Sequence, residues 1–307
     1  MKRLTIDYQS EAIWLALRAE DITATKVSAL FGCNPWLTEF ELWHQIKNKS
    51  VESLADNEAM EVGRDFEATI AQYIAKKQGY EIKPKKHYMR LEGLGIGCSF
   101  DYEITKPFEA IFEIKNVGEA SFKNNWKEEG EDIQAPLYQE FQFQHELLVS
   151  GASKLITGAM VGGNRHKVLT RLPDEKVHKA ILEKCAAFRQ SIKEGKEPSP
   201  NFERDAAFIA KLFNKASVGT EVEADSEIDA LVDDYQEHLE AESKAKTQKE
   251  ILKAKILMKV GDAAKVKGDD YSISLGETKG STYTTVRKPG RSFRIFMDNR
   301  KQEAEIE

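Results

Sequence analysis

The sequence predicts an α/β (α+β) protein with a mixed central sheet flanked by helices, followed by a C-terminal helical and small β module. Helical periodicity dominates residues 9–79, and short β-favouring runs punctuated by glycine fill 80–117. Helix-like and strand-like segments then alternate over 134–194. Helices before, between and after a small set of strands are typical of a layered α/β or α+β core.

The predicted helices begin close to the N-terminus. Residues 9–31 are predicted as two helices separated by a break at 21–23, with Thr23 or Thr25 capping the second. The other predicted helices of this part of the chain cover 38–48, 57–79, 134–150 and 174–194.

Five strands are predicted between and after these helices. Glycines and Pro107 separate the first three, because these residues interrupt regular strand geometry. The predicted strands cover 80–91, 96–105, 108–117, 154–161 and 166–172.

A change in composition after Phe213 predicts a domain boundary, with a first domain over 1–215 and a second over 216–307. Residues 221–243 contain ten Asp or Glu and no Lys or Arg, whereas 244–267 contain eight lysines. Apolar residues keep helical spacing through both segments, which predicts one long helix or a helical hairpin.

Three short strands are predicted to follow, over 271–276, 281–287 and 292–297. Residues 279–301 carry seven Lys or Arg against one acidic residue, with aromatic side chains between them. This pattern is typical either of a surface that tracks a nucleic-acid backbone or of the charged surface of a small β-domain.

The net charge of −6 gives no global sign of nucleic-acid binding, so any such surface must be locally basic. No run of about 18 apolar residues occurs, so we expect no membrane span. The N-terminus lacks the apolar region of a secretion signal, and the three cysteines form no disulfide or metal-knuckle spacing. We therefore expect a cytoplasmic protein.

The segment most indicative of chemistry contains Asp101, Glu113 and Lys115. Alternate residues of a strand face the same side, so Glu113 and Lys115 point together, with Phe112 and Ile114 on the opposite face. A hairpin would bring Asp101 beside Glu113, and two adjacent carboxylates favour a hard divalent cation such as Mg²⁺. The alternative is a solvated strand face, on which this spacing is common.

Two helices place polar side chains on otherwise apolar stripes. Glu67 shares a helical face with Ile70 and Ile74, and Gln144 lies between Phe141 and Leu148. Such side chains need a polar partner, which a metal site would supply. The alternatives are a glutamate at the surface edge and a glutamine that caps a backbone group.

The motifs GRDFE over 63–67, SFD over 99–101, EIK over 113–115 and QFQ over 142–144 occur in this order, and the chain resembles the YqaJ-like viral recombinase family over roughly 10–200. Bacteriophage lambda exonuclease is a well-known relative. The resemblance implies a PD-(D/E)XK restriction-endonuclease-like core. It also implies a Mg²⁺-dependent 5′→3′ exonuclease that acts on double-stranded DNA and leaves a 3′ single-stranded overhang.

The resemblance also implies roles for individual residues, including Asp101, Glu113 and the backbone carbonyl of Ile114 as metal ligands. Glu67 would hold a second metal, and Lys115 and Gln144 would position and activate water. The remaining pair, Arg18 and Thr25, matches positions that grip a 5′-phosphate; Thr25 stands where the family often has serine. Mg²⁺ is the implied cofactor, with Mn²⁺ as a substitute.

The implied partners are double-stranded DNA ends, a single-strand annealing protein and further copies of this chain in a ring, for which a trimer is favoured. Two other functions stay open from the sequence. One is a structure-selective or restriction-like endonuclease with the same core, and the other is a DNA-end-binding adaptor without catalysis.

Overall fold

The computed structural model describes residues 1–51, 58–130, 132–217, 219–285 and 290–296. The chain divides into two compact units, Met1–Ile209 and Ala210–Glu307. In chain order, the first elements are β1 (Arg3–Asp7), α1 (Glu11–Glu20), β2 (Ile22–Thr23), a 3-10 helix (Val27–Phe31), α2 (Glu39–Lys47), α3 (Glu58–Gln78), β3 (Glu81–Pro84), β4 (His87–Leu91), β5 (Ile96–Ser99), β6 (Tyr102–Lys106) and β7 (Ala110–Val117). They are followed by α4 (Glu119–Asn125), β8 (Lys127–Glu129), β9 (Asp132–Gln134), α5 (Leu137–Ser150), β10 (Leu155–Val161), β11 (Arg165–Arg171), α6 (Glu175–Glu194), α7 (Phe202–Leu212), α8 (Ser226–Val260), β12 (Lys265–Lys267) and β13 (Ser272–Ser274).

The central sheet of the first unit has five strands in the order β11-β10-β7-β6-β3. β7 and β10 are parallel, and the other neighbours are antiparallel. Helix α3 packs against β3, β7 and β10, burying Ile70 and Ile74 with Phe112. The other face of β7 contributes Ile111 to a second core that contains Phe143 of α5. The predicted mixed sheet flanked by helices is thus confirmed.

A second sheet, in the order β1-β4-β5-β2, corrects two of the predicted strands. The predicted strand 80–91 is two strands, β3 and β4, which lie in different sheets, and 96–105 is likewise β5 and β6. Local composition marks each stretch as extended, but a change of sheet depends on distant strands. One of these changes leaves Asp101 in the bend between β5 and β6.

The second helix predicted within 9–31 is also wrong. Residues 22–23 pair with β5 as strand β2, and the helical turns within 24–31 are those of the 3-10 helix, whose C-cap is Gly32 with φ 67°. The segment is nevertheless buried, with Ile22 and Val27 fully enclosed. The apolar spacing therefore reflected burial in the core rather than an α-helix.

In the part of the second unit that the structure describes, α8 forms one long helix and is followed by a hairpin of β12 and β13. β13 accounts for part of the predicted strand 271–276. The described residues 281–285 and 292–296 form no strand, which corrects two predictions there; 286–289 and 297 lie outside the described residues. None of the helices in the described ranges is long and apolar enough to cross a membrane.

Candidate active site

Strand β7 places Glu113 and Lys115 on the face that meets helix α5. Glu113 is buried, and Lys115 Nζ donates to Glu113 Oε1 at 2.7 Å. Burial lowers the pKa of Lys115, but attraction to Glu113 and Asp101 outweighs it, so the pKa lies above its ordinary value. Phe112 and Ile114 are buried on the opposite face, as the strand pattern predicted. The pair is an enclosed ion pair rather than a solvated strand face.

Asp101 reaches β7 from the bend after β5. Its Oδ2 accepts a hydrogen bond from Ile114 N at 2.9 Å. Burial raises the pKa of Asp101 well above its ordinary value, and repulsion from Glu113 and Glu67 adds to the effect. Since the N–H and C=O of one strand residue point to the same edge, the Ile114 carbonyl faces the Asp101 side of the strand.

Glu67 of α3 belongs to the same electrostatic cluster. It is half-buried, and its pKa is raised first by burial and then by repulsion from Glu113, while Lys115 lowers it. The structure therefore brings three carboxylates and one ammonium group together from a helix, a bend and a strand.

Helix α5 contributes Gln142 and Glu146, which the sequence reasoning did not assign to the site. Gln142 Oε1 accepts from Lys115 Nζ at 3.2 Å, and its Nε2 donates to Glu113 at 2.7 Å and Glu146 at 2.9 Å. Glu146 is fully enclosed, and burial followed by repulsion from Glu113 raises its pKa well above the ordinary value. Their i, i+4 spacing was the available signal, because it places both side chains on one helical face.

Gln144, the predicted site glutamine, is directed elsewhere. Its Nε2 donates to the carbonyl of Leu172 at 2.9 Å, and its Oε1 accepts from Asp174 N at 2.9 Å. Both contacts fix the approach to helix α6, whose N-cap is Asp174. Gln144 is thus the glutamine that caps backbone groups, and Gln142 takes the place beside Lys115.

Arg18 and Thr25 meet at the start of the domain. Arg18 Nη2 donates to Thr25 Oγ1 at 3.4 Å, and its guanidinium lies over the Trp14 ring, 4.7 Å from the centroid. Thr25 Oγ1 also lies 3.3 Å from Thr23 Oγ1, and Asn34 Nδ2 donates to the Thr25 carbonyl. A guanidinium beside two hydroxyl groups is chemically suited to a phosphate.

The donor set at Asp101, Glu113 and Glu67 fits a hard divalent cation in its chemistry. Enclosed carboxylates that raise one another's pKa are stabilised by a cation between them, and oxygen ligands suit Mg²⁺. Across the described residues, however, no three His, Cys, Asp or Glu side chains form a ready-made metal cluster. Glu113 Oε1 is instead held by Lys115 and Gln142, so the lysine supplies the positive charge.

Solved structures show limited similarity to this chain. One of them is LHK-Exo, an alkaline exonuclease from Laribacter hongkongensis, in complex with dAMP. It is 17% identical to this chain with a TM-score of 0.48, and the match covers 65% of this chain and 100% of LHK-Exo. A putative exonuclease from Eubacterium rectale is 10% identical, with a TM-score of 0.44, covering 73% and 98%.

Sequence comparison gives a family match. A curated relative, the uncharacterized protein YqaJ of Bacillus subtilis strain 168, is 27% identical over 154 residues, which are 50% of this chain and 47% of the relative. The match thus spans about half the length of that relative. Residues 13–153 match the family described as the YqaJ-like viral recombinase domain. This segment contains every residue of the site described above, and it is similar to the YqaJ-like viral recombinase domain.

Proposed function

We propose that this chain is a Mg²⁺-dependent 5′→3′ exonuclease of the PD-(D/E)XK type that acts on double-stranded DNA and leaves 3′ single-stranded overhangs. The observation that carries the proposal is the clustering of Asp101, Glu113 and Glu67 around Lys115, on and beside β7, the middle strand of the central sheet. Oxygen ligands that hold a divalent cation beside an ammonium group suit phosphodiester hydrolysis.

Asp101 and Glu113 would hold Mg²⁺ together with the Ile114 carbonyl, and Glu67 would hold a second ion; Mn²⁺ would substitute. When bound, the metal supplies Lewis acidity toward the phosphoryl oxygens and lowers the pKa of water. Lys115 orients the attacking water and stabilises negative charge that develops on the phosphate. Gln142 holds Lys115 and Glu113 in register through both ends of its amide.

The pair Arg18 and Thr25 would bind the 5′-phosphate of the substrate end. The two side chains are hydrogen-bonded at 3.4 Å, and this closeness supports the proposal that one anion contacts both. A terminal phosphate held at a fixed position would place a nearby phosphodiester at the metal site, which favours cleavage from the 5′ end.

Partners of the proposed exonuclease follow from its product. A 3′ single-stranded overhang is the substrate of a single-strand annealing protein, which we propose as the functional partner in the cytoplasm of a bacterial host. A ring of copies, with a trimer favoured, would keep the enzyme on DNA. It would also reconcile a net charge of −6 with DNA binding, because only the channel lining needs to be basic.

The test compares three DNA substrates with Mg²⁺: linear duplex with 5′-phosphate, linear duplex with 5′-hydroxyl, and covalently closed circles. We expect mononucleotide release from the phosphorylated linear duplex and intact circles. Nicking of the circles would show an endonuclease. Binding of ends without hydrolysis in either Mg²⁺ or Mn²⁺ would show a non-catalytic adaptor. Lys115→Ala serves as the inactive control.

A further inference from the structure

Helix α8 of the second unit exposes an apolar stripe. The helix runs for 35 residues from Ser226 to Val260 and has no buried residue. Near the N-terminal end, apolar side chains lie three and then four residues apart, and near the C-terminal end two lie four residues apart, as at the seam of a coiled coil. They remain substantially exposed: Ile228 41%, Leu231 61%, Tyr235 44%, Leu252 57% and Ile256 43%.

The charges of α8 are separated into two halves. Residues 226–243 contain seven acidic residues and no Lys or Arg: Glu227, Asp229, Asp233, Asp234, Glu237, Glu240 and Glu242. Residues 244–260 contain one acidic residue, Glu250, and six lysines: Lys244, Lys246, Lys249, Lys253, Lys255 and Lys259. A parallel pair of such helices would place like charges side by side, whereas an antiparallel pair would place opposite charges together.

We propose that α8 is an interaction surface for α8 of a second copy of this chain, in antiparallel orientation; this two-fold contact is separate from the proposed ring and would join two rings rather than close one. The charge boundary between residues 243 and 244 sets the register. Pairing about that point places Leu231 opposite Ile256 of the second copy and Tyr235 opposite Leu252. Two-fold symmetry repeats each of these layers, so the pair gains four apolar layers, two toward each end.

The centre of the same seam is mostly polar, with His238, Glu242 and Lys249 beside the small Ala245. Polar residues at seam positions fix register and orientation at a cost in stability, so the apolar ends must hold the pair together. Within the unit, Phe293 contacts the Tyr235 ring edge-on with 5.5 Å between centroids, and Tyr235 still keeps 44% of its surface exposed. A helix of this length, about 50 Å at 1.5 Å per residue, offers a seam long enough for a specific pair.

A nucleic-acid track along α8 is the competing use of its basic half. The charge distribution argues against it, because the acidic half would repel the same phosphate backbone. Helix pairing and nucleic-acid binding can be distinguished by experiment, because charge reversal on α8 should change self-association only if the helices pair.

Sedimentation velocity of the full chain over a range of concentrations tests the pairing. Reversing the basic end with Lys253→Glu and Lys255→Glu is expected to weaken self-association at least tenfold, and so is reversing the acidic end with Asp233→Lys and Asp234→Lys. An equimolar mixture of the two variants is expected to restore association. These side chains are exposed, and circular dichroism confirms that the helix is retained.

Cysteine cross-linking tests the orientation. A Leu231→Cys chain mixed with an Ile256→Cys chain is expected to form an intermolecular disulfide, whereas Leu231→Cys alone is not. A disulfide formed by Leu231→Cys alone would show a parallel pair and overturn the proposal. Unchanged self-association in both charge variants would also overturn it, as would loss of DNA binding with no change in assembly. Nuclease activity on short duplexes is measured in parallel and is expected to stay within twofold.

Discussion

The two units of the chain contain the same kind of ion pair in opposite surroundings. At the candidate active site, Lys115 and Glu113 lie 2.7 Å apart with side-chain exposures of 18% and 6%. On α8, Lys244 and Glu240 lie 3.2 Å apart with exposures of 77% and 71%. The buried pair belongs to a network with Asp101, Gln142 and Glu146, whereas the exposed pair is a local contact along one helix.

The two ion pairs differ in how far the stability of each charged group depends on its partner in the protein rather than on water. An exposed pair contributes about 0–1 kcal/mol, because water already stabilises both charges. Breaking a buried pair by removing one partner costs about 3–5 kcal/mol, because the remaining charge stays enclosed. Function at the site therefore depends on single side chains, whereas association through α8 depends on many weak charges that share a sign along each half.

The largest expected effect is the loss of the proposed nuclease activity in Lys115→Ala. Removing the ammonium group leaves the clustered carboxylates without their internal cation and without a group to stabilise developing charge, so we expect activity to fall about 10²–10³-fold or more. Rates of nucleotide release from 5′-phosphorylated duplex measure it. Lys123→Ala, which alters an exposed helix pair with Glu119, is the matched control and should keep full activity.

Substitution of Gln142 is expected to lower activity, whereas substitution of Gln144 is expected to lower stability. Gln142→Ala should lower activity about tenfold or more, because Lys115 and Glu113 lose the amide that connects them. Gln144→Ala should retain activity but lose about 1–3 kcal/mol of stability, because backbone groups at Leu172 and Asp174 lose their partner. Urea unfolding and nucleotide release measure the two effects. The reverse pattern would return the site role to Gln144.

Because the pKa values of Asp101 and Glu67 are raised, we expect the proposed Mg²⁺ binding to depend on pH. The metal-free folded protein holds these protons at a pH where the unfolded chain has released them, so these groups contribute less stability as pH rises above about 4. Mg²⁺ must displace the protons, so its thermal stabilisation should be greater at pH 8 than at pH 6. Differential scanning calorimetry measures this. Asp101→Asn should lose most of the Mg²⁺ effect, and an equal shift in that variant would place the ion elsewhere.

Arg18→Ala is expected to reduce the preference for 5′-phosphorylated ends more than it reduces the rate of hydrolysis itself. Loss of the guanidinium beside Thr25 should reduce cleavage of 5′-phosphorylated duplex about tenfold, and it should leave cleavage of 5′-hydroxyl duplex nearly unchanged. The ratio of the two rates is the measurement. An equal reduction on both substrates would indicate that Arg18 supports the fold through its contact with Trp14.

The smallest expected effect is that of Lys244→Ala on α8. Its contact with Glu240 is highly exposed, so the free energy of unfolding should change by less than about 0.5 kcal/mol. Thermal and urea unfolding of the full chain measure it. A loss above 2 kcal/mol would contradict the contrast between the two regions, because it would show that charges on α8 are coupled as tightly as those at the site.

Much of the site could be predicted because strand and helix periodicities are local properties. The alternation of apolar residues around Glu113 and Lys115 indicated which side of β7 each would occupy, and the structure confirms that geometry. The prediction placed Gln144 beside this strand, where the structure has Gln142, and the error has a physical cause. Periodicity tells which residues of α5 share a face, but not which face turns toward β7.

Local sequence patterns were enough to predict the helix-and-strand character of the first unit and the separation of charge along α8, since each depends on residues close together in the chain. The change of sheet at Asp101 and the contact of Gln142 and Glu146 with the ion pair emerged only from the folded structure. Those outcomes depend on how elements distant in sequence pack together. Burial in that packing also turns an ordinary Glu-x-Lys spacing into a cluster of strongly interacting groups.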